Sequence, residues 1–161
     1  MIRLATLTDL TRIHEVYALA KETMLKSGNR NQWLGGYPSQ NLLIDDIQRK
    51  QLYVLEYNNQ IEAVFALILG VDATYLKIHE GKWISGEPYG TIHRLASSGK
   101  VRHVLEKAVV YSLDIIPHLR IDTHEDNAIM RHLLAVLQFQ YCGIIYLKDG
   151  SPRLAYEYIR R

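Results

Sequence analysis

The spacing of apolar and polar residues in the first third of the chain predicts helices joined by a loop. Apolar residues from Leu10 to Met24 recur every three or four positions and form one helical stripe, which ends before Gly28. The stretch from Ser27 to Gln40 has no period and is rich in glycine, so it is predicted to be a loop. A second, shorter helix is predicted from Asn41 to Lys50.

The middle third begins with a hairpin pattern. Leu52 to Tyr57 and Gln60 to Leu69 flank a pair of asparagines, a residue type that tolerates the positive φ of a tight turn. The second of these strands is apolar on both faces, which is typical of a central strand. Val71 to Pro88 is predicted to be an irregular segment, and Tyr89 to Ala96 a further strand.

The last third alternates helices and strands. In chain order the predicted elements are a helix from Val101 to Ile115, a strand from Leu119 to Thr123, a helix that starts near Glu125, and strands from Phe139 to Leu147 and from Arg153 to Ile159. The whole order is β-α-α-β-β-β-α-β-α-β-β, which predicts a mixed sheet with one parallel crossover among antiparallel hairpins. No linker or internal repeat interrupts it, so residues 1–161 are interpreted as a single domain.

Composition and charge exclude several classes of protein. Hydrophobic residues make up 48% of the 161 positions and charged residues 22%, enough for a packed core. A formal net charge of +2 does not by itself indicate binding to nucleic acid or to a membrane surface. The single cysteine, Cys142, excludes an internal disulfide, and the histidines show no metal-binding spacing, so no metal is expected. No signal peptide or membrane-spanning run is visible, and a cytoplasmic location is expected.

Several stretches carry a resemblance to a known family. They are Thr91–Ala96, Ser97–Leu105, Leu119–Asn127, Leu137–Gly143 and Arg153–Glu157. Together they resemble the GNAT superfamily of acyl-CoA N-acyltransferases, and Asn31–Trp33, Gly36–Pro38 and Glu80–Trp83 resemble an uncharacterised bacterial branch of it. The resemblance implies an α/β (α+β) fold, with a mixed, mostly antiparallel central sheet of six to seven strands. Helices would cover both faces, and one parallel pair of strands would splay apart.

The same resemblance implies that acetyl-CoA is the cosubstrate. It also implies a primary amine, on a small molecule or a peptide, that attacks the thioester directly in a ternary complex. The cofactor-binding positions that it implies are Leu95, Ala96 and Ser97 for the thioester arm, Lys100, Val101, Arg102, His103, Val104 and Leu105 for the pyrophosphate, and Asn127 for the pantetheine or adenosine arm. Asn127 has an alternative interpretation as an ordinary helix cap.

The pyrophosphate loop departs from the family motif, Arg/Gln-x-x-Gly-x-Gly/Ala. One register begins the motif at Lys100 and puts bulky His103 and Leu105 at its two small positions. Another register uses Gly99 and Val101, and matches only one small residue. Close approach of a pyrophosphate to the backbone depends on these positions, since unpaired amides at a helix start form the anion site.

Catalytic candidates follow from what amine acylation needs. His93 lies on the strand that would face the cofactor, and histidine titrates near neutral pH, so it is the first candidate for the base. A strand histidine satisfied by its neighbours is the alternative. Leu134 occupies the position where many members of the family carry a tyrosine that protonates the departing thiolate. Tyr141 is therefore a candidate for this general acid. His124, two residues after Asp122 on one face of a strand, is a third candidate, with helix capping as the alternative.

Candidates for acceptor binding lie on the two irregular segments. Trp33, Tyr37 and Trp83 are large aromatics suited either to a lid over a ligand or to plugs at a core edge. Glu80 could attract a cationic amine.

Two other functions stay open at this stage. The altered loop and Leu134 suit a non-catalytic module that binds acyl-CoA. A dimeric scaffold without a ligand would instead use the aromatic loops as an interface. The exposed edges of a mixed sheet make a homodimer an expectation in either case.

Overall fold

The computed structural model describes all 161 residues, and its elements follow the predicted order. They are β1 (Ile2–Leu4), α1 (Leu10–Lys26), α2 (Gln40–Gln48), β2 (Leu52–Tyr57), β3 (Gln60–Leu69), β4 (Gly90–Ser97), α3 (Val104–Leu113), β5 (His118–Thr123), α4 (Ala128–Val136), β6 (Gln140–Tyr146) and β7 (Pro152–Ile159). None of the helices combines the length and apolarity that crossing a membrane requires.

One sheet of seven strands organises the chain, in the order β1-β2-β3-β4-β5-β7-β6. Every neighbouring pair is antiparallel except β4 and β5, which are parallel. Seven consecutive residues of β3, from Ile61 to Leu67, are buried, as its continuous apolar pattern predicts for a central strand. The predicted mixed, mostly antiparallel sheet is confirmed.

Helices cover both faces of the sheet, as expected. On one face, α1 packs Ile13 and Val16 against Val64 and Ala66 of β3 in a core that also includes Leu43 of α2. On the other face, α3 and α4 bury a second core between themselves and β3, β4, β5 and β7. Since successive strand residues point to opposite faces, β3 contributes Val64 and Ala66 to the first core and Phe65 and Leu67 to the second.

The starts of two helices differ from the sequence prediction. The helix predicted from Val101 begins at Val104, because His103 has a left-handed backbone with φ of 59°. The helix predicted from about Glu125 begins at Ala128, because the Asn127 side chain accepts a hydrogen bond from the Met130 amide and caps the helix there. Both starts lie beside the cavity described next.

Candidate functional site

The two parallel strands are paired only at their beginnings. Pairing stops after Thr91 of β4 and Arg120 of β5, whereas the strands continue to Ser97 and Thr123. They therefore diverge toward their C-terminal ends, which confirms the splayed pair. A cavity of about 790 Å³ opens in this gap and extends under the loop between α1 and α2, residues 27–39.

The cavity has an apolar side and a polar side. The apolar side is formed by Ile92, Leu95, Leu105, Ile121 and Met130, which also belong to or pack against the core under α3 and α4. The polar side is formed by Asp46, Asp72, His93, Arg94, Asp122 and Arg153, together with Trp33 and Tyr37. The cavity therefore joins an apolar wall to a set of ionisable groups.

Unpaired backbone amides lie at the start of α3. The amides of Val101, Arg102 and His103 donate no hydrogen bond within the chain, and the first amides of any helix have no acceptor in a preceding turn. The His103 side chain is 69% exposed, and Leu105 is buried in the core. The chain thus accommodates both bulky residues of the loop, His103 in solvent and Leu105 in the core.

A bulge interrupts β4 in the middle of the gap. Val64 of β3 pairs with Ala96 and Ala66 pairs with His93, so Arg94 and Leu95 together oppose one residue of β3. Arg94 has a positive φ of 55°, which few side chains other than glycine adopt without cost. The bulge turns the Arg94 side chain to the polar side, while Leu95 packs on the apolar side.

A buried ion pair fixes this bulge. The Arg94 guanidinium donates two hydrogen bonds of 2.9 Å to the Asp46 carboxylate, which is 1% exposed, and a third of 3.1 Å to the Tyr37 hydroxyl. Tyr17 donates to the Arg94 carbonyl at 2.8 Å. Burial raises the pKa of Tyr37, while the charge of Arg94 acts in the opposite direction, so the phenol stays protonated at neutral pH.

Replacing Asp46 with asparagine is expected to lower the free energy of unfolding by about 1.5–3 kcal/mol, the range for hydrogen bonds to charged groups. The amide keeps the shape of the side chain but removes the charge that compensates Arg94. Urea unfolding followed by circular dichroism measures the change. Asp45→Asn is the matched control, because Asp45 is an exposed neighbour that pairs only with Arg49 on the same helix. Equal losses in the two variants would contradict a special role for Asp46.

His93 and Asp72 form a second hydrogen-bonded pair on the polar side. His93 Nε2 lies 2.9 Å from Asp72 Oδ2, and Asp72 Oδ1 accepts hydrogen bonds from the amide and hydroxyl of Thr74. Burial pushes the pKa of Asp72 upward, but the bonds from His93 and Thr74 outweigh it and lower the pKa to about 2. The carboxylate is therefore charged at neutral pH, and it orients an imidazole whose Nδ1 makes no hydrogen bond within the chain.

Asp122, on β5, is the third acid of the polar side, and it contacts the segment that joins β3 to β4. The hydroxyl of Tyr75 donates a 2.5 Å hydrogen bond to Oδ2 of Asp122. Burial, and next the charge of Asp122, raise the pKa of Tyr75 well above its usual value. Asp122 consequently has a neutral phenol, rather than a cation, as its hydrogen-bond partner.

Comparison with solved structures identifies the family of the chain. An acetyltransferase of the GNAT family from Streptococcus agalactiae is 34% identical to the chain, with a TM-score of 0.90 over 100% of this chain and 95% of that one. The chain belongs to the GNAT family.

More distant structures share the GNAT fold. A GNAT acetyltransferase from Listeria monocytogenes is 20% identical, with a TM-score of 0.71 over 99% of this chain and 94% of that one. A ribosomal-protein-alanine N-acetyltransferase from Brucella melitensis is 17% identical, with a TM-score of 0.59 over 99% of each chain. Neither the models of protein families nor the curated protein sequences gave a match.

Of the GNAT cofactor positions predicted from the sequence, Leu95 and Leu105 line the cavity, whereas Ala96 is buried in the core under α1 and Val101 and His103 line a separate cavity of about 560 Å³. Leu95, Ala96 and Ser97 end β4, and residues 100–105 lead into α3. Asn127 also lines the cavity, but both ends of its amide are engaged. Its oxygen accepts from the Met130 amide and its nitrogen donates to Gln32 Oε1 at 3.0 Å. The capping interpretation of Asn127 therefore describes its contacts in this structure.

Two of the three catalytic candidates lie outside the cavity. Tyr141 lies on the edge strand β6 and is 53% exposed. It pairs with Tyr156 of β7, and β6 lies on the side of β7 away from the gap. His124 Nδ1 accepts the Asp126 amide at 3.0 Å in the turn before α4, and this local bond occupies it. Among the predicted catalytic residues, the structure brings only His93 to the cavity.

The predicted acceptor residues divide in the same way. Trp33 and Tyr37 line the polar side, whereas Glu80 is exposed and Trp83 packs in a separate cluster. Trp83 donates from Nε1 to the Tyr75 carbonyl, and its ring lies 4.0 Å from the Arg120 guanidinium carbon. The aromatic of this second segment is therefore a plug at a core edge, the alternative that the sequence left open.

Sequence reasoning missed several of the ionisable groups of the site. Asp46 and Asp72 stand in no motif, and Arg153 was noted only as the first residue of a stretch that resembles the family. The burial of Asp46 could have been suspected, because this acid lies on a helix beside the apolar residues Leu43 and Ile47. Nothing in the sequence around Arg94 marks a bulge, since the residues that define the bulge are its partners on β3.

Proposed function

We propose that the chain transfers an acetyl group from acetyl-CoA to a primary amine by direct attack within a ternary complex. The observation that carries the proposal is the gap between β4 and β5, where one cavity joins Leu95 and Leu105 to the His93–Asp72 pair. Membership of the GNAT family supports acetyl transfer in general. A related fold, the N-acetylglutamate synthase of Neisseria gonorrhoeae, has been solved with coenzyme A.

In this proposal the cosubstrate binds along the apolar side. Its pyrophosphate is held by the free amides of Val101, Arg102 and His103, where the helix start supplies partial positive charge. Lys100 and Arg102 are exposed and add full charges. The thioester carbonyl then lies beside the β4 bulge, where a backbone amide polarises it as negative charge develops on its oxygen.

The acceptor amine is activated on the polar side. An alkylammonium must lose a proton before its lone pair can attack, and Nδ1 of His93 takes that proton while Asp72 stabilises the resulting imidazolium. The amine nitrogen then bonds to the carbonyl carbon and loses its second proton to solvent, the carbon–sulfur bond breaks, and coenzyme A leaves as a thiolate. Leu134 is fully buried and supplies no proton, so the thiolate leaves unassisted or takes its proton from solvent.

Acetyl-CoA is expected to raise the melting temperature of the protein. Ligand at one hundred times its dissociation constant stabilises a fold by about 2.7 kcal/mol. For a domain of this size the shift is about 5–10 °C. Arg102→Glu is expected to weaken binding about tenfold, because it reverses a charge beside the diphosphate. Arg161→Glu, at the opposite end of the sheet, is the matched control. Equal affinities for the two variants would argue against a pyrophosphate seat at α3.

Acetyl transfer itself is tested by thiol release from acetyl-CoA with a broad panel of primary amines. We expect release above the rate of solution aminolysis for at least one structural class of amine. Binding of acetyl-CoA without release for any amine would instead favour the non-catalytic acyl-CoA-binding module. Absence of both binding and release would contradict the proposal as a whole.

A further inference from the structure

Arg153 is a buried cation that lines the cavity and has no acidic partner. It lies near the start of β7, is 5% exposed, and faces the polar side. Its guanidinium donates to the carbonyls of Gln32 at 3.0 Å and Pro152 at 2.8 Å, and to the Ser151 hydroxyl at 3.4 Å. All three acceptors are neutral.

The other buried or partly buried arginines all have a carboxylate partner. Arg3, Arg12, Arg94 and Arg120 each donate to at least one carboxylate within 3.1 Å. A guanidinium taken out of water without an anion is unfavourable, so Arg153 departs from the pattern that the rest of the chain follows. Burial lowers the pKa of Arg153, and the charges of Asp122 and Asp149, both more than 4 Å away, offset that effect only in part.

The charges on the polar side leave one acid unpaired as well. Asp46 is compensated by Arg94, and Asp72 is bonded to His93. The Asp122 side chain accepts a hydrogen bond only from the neutral Tyr75 hydroxyl, and no arginine, lysine or histidine nitrogen lies within 4 Å of its carboxylate. One guanidinium and one carboxylate on the same wall therefore form no salt bridge within 4 Å, and the charge of Asp122 acts on Arg153 only from a longer distance.

We propose that the acceptor is a small amino carboxylate, such as an α-amino acid, whose carboxylate binds Arg153. The ammonium group is drawn to Asp122, and His93, which lines the same cavity, removes its proton. A guanidinium recognises a carboxylate through two parallel hydrogen bonds, and neutral ligands do not reproduce them. This inference rests on the proposed acetyl transfer for its chemistry, although binding of the acceptor can be measured separately.

The first experiment measures binding without turnover. The protein is saturated with coenzyme A, which carries no acetyl group, and titrated by calorimetry with α-amino acids and with the corresponding α-carboxamides. At least one amino acid is expected to bind about 10- to 100-fold more tightly than its carboxamide, the range for a charge-assisted hydrogen-bonded pair. This comparison uses the unaltered protein and does not depend on the folding of any variant.

The second experiment tests Arg153 directly. Arg153→Gln is expected to remove the preference for the acid by raising KM for the amino acid about 10- to 100-fold, while KM for the carboxamide and the affinity for acetyl-CoA stay the same. Arg153→Lys keeps a charge and is expected to recover part of the preference. Arg160→Gln is the control, since Arg160 is exposed and pairs with Asp114 outside the cavity.

The outcomes separate this inference from the proposed function. Preferential binding of acids that Arg153→Gln abolishes supports the inference, even if no thiol is released, a result that would overturn only acetyl transfer. Turnover of amines that lack a carboxylate, with no preference for acids, would overturn the inference and leave acetyl transfer standing. Failure of every amino acid to bind, or equal weakening of acid and carboxamide by Arg153→Gln, would also overturn it.

Discussion

Replacing Glu157 with alanine is expected to lower the free energy of unfolding by about 3–5 kcal/mol, the cost of removing one partner of a buried ion pair. Glu157 is fully buried on β7. Its Oε1 accepts from Arg120 Nε at 3.1 Å and contacts His118 Nε2, and its Oε2 accepts from the Ile84 amide at 2.5 Å. Without the carboxylate, a buried guanidinium loses its anion and the Ile84 amide loses its acceptor.

The effect should extend to the polar side of the cavity. The Arg120 guanidinium carbon lies 4.0 Å from the ring centres of both Trp83 and Tyr89, so the ion pair holds residues 70–89 against the sheet. The same segment carries Asp72, the partner of His93. A weaker anchor would therefore loosen the His93–Asp72 pair as well as the core.

Urea unfolding followed by circular dichroism measures the loss in Glu157→Ala. Since domains of this kind are stable by about 5–15 kcal/mol, the alanine variant can fail to fold, and Glu157→Gln then gives a smaller, measurable loss. Glu125→Ala is the control, because Glu125 is exposed and its variant should change stability by less than about 0.5 kcal/mol. A loss below about 1 kcal/mol in Glu157→Ala would show that Arg120 does not depend on this anion.

The order of helices and strands was accessible from the sequence because it depends on local periodicity. The stripe from Leu10 to Met24 and the continuous apolar run of β3 each identify one element without reference to the rest of the chain. Helix starts were less accessible. His103 adopts a left-handed conformation, a choice made by the loop as a whole, so α3 begins three residues later than its apolar stripe indicates.

Only part of the candidate site could be predicted from the sequence, because its ionisable groups come from distant parts of the chain that the sheet brings together. His93 could be proposed because one strand carries it next to the expected gap, whereas its partner Asp72 lies on an irregular segment. The roles of Trp33 and Trp83 could not be distinguished from sequence. Both are aromatics on loops, yet one lines the cavity and the other stacks on Arg120, a residue of β5.

Acetyl transfer is expected to fall about 100- to 1,000-fold in kcat when His93 is replaced with alanine, within the range for loss of a general base. The affinity for acetyl-CoA should not change, because His93 lies on the polar side, away from the amides at the start of α3. Steady-state kinetics with a saturating amine, combined with equilibrium binding of acetyl-CoA, separate the two effects. His132→Ala is the control, since His132 is exposed on α4. Retention of more than about a tenth of kcat in His93→Ala would exclude His93 as the base.

The dependence of activity and stability on pH tests the charge of Asp72. The hydrogen bonds of Asp72 lower its pKa to about 2, so the carboxylate is charged throughout any assay between about pH 5 and 9 and cannot itself produce the acid limb. An acid limb of activity in that range therefore comes from a group other than Asp72. The same lowered pKa makes Asp72 stabilise the fold at pH values above about 4, a contribution that fades as the pH falls toward about 2. Asp72→Asn is expected to remove that fading in acid unfolding followed by circular dichroism, and the same loss of stability between about pH 4 and 2 in both proteins would contradict a charged, hydrogen-bonded Asp72.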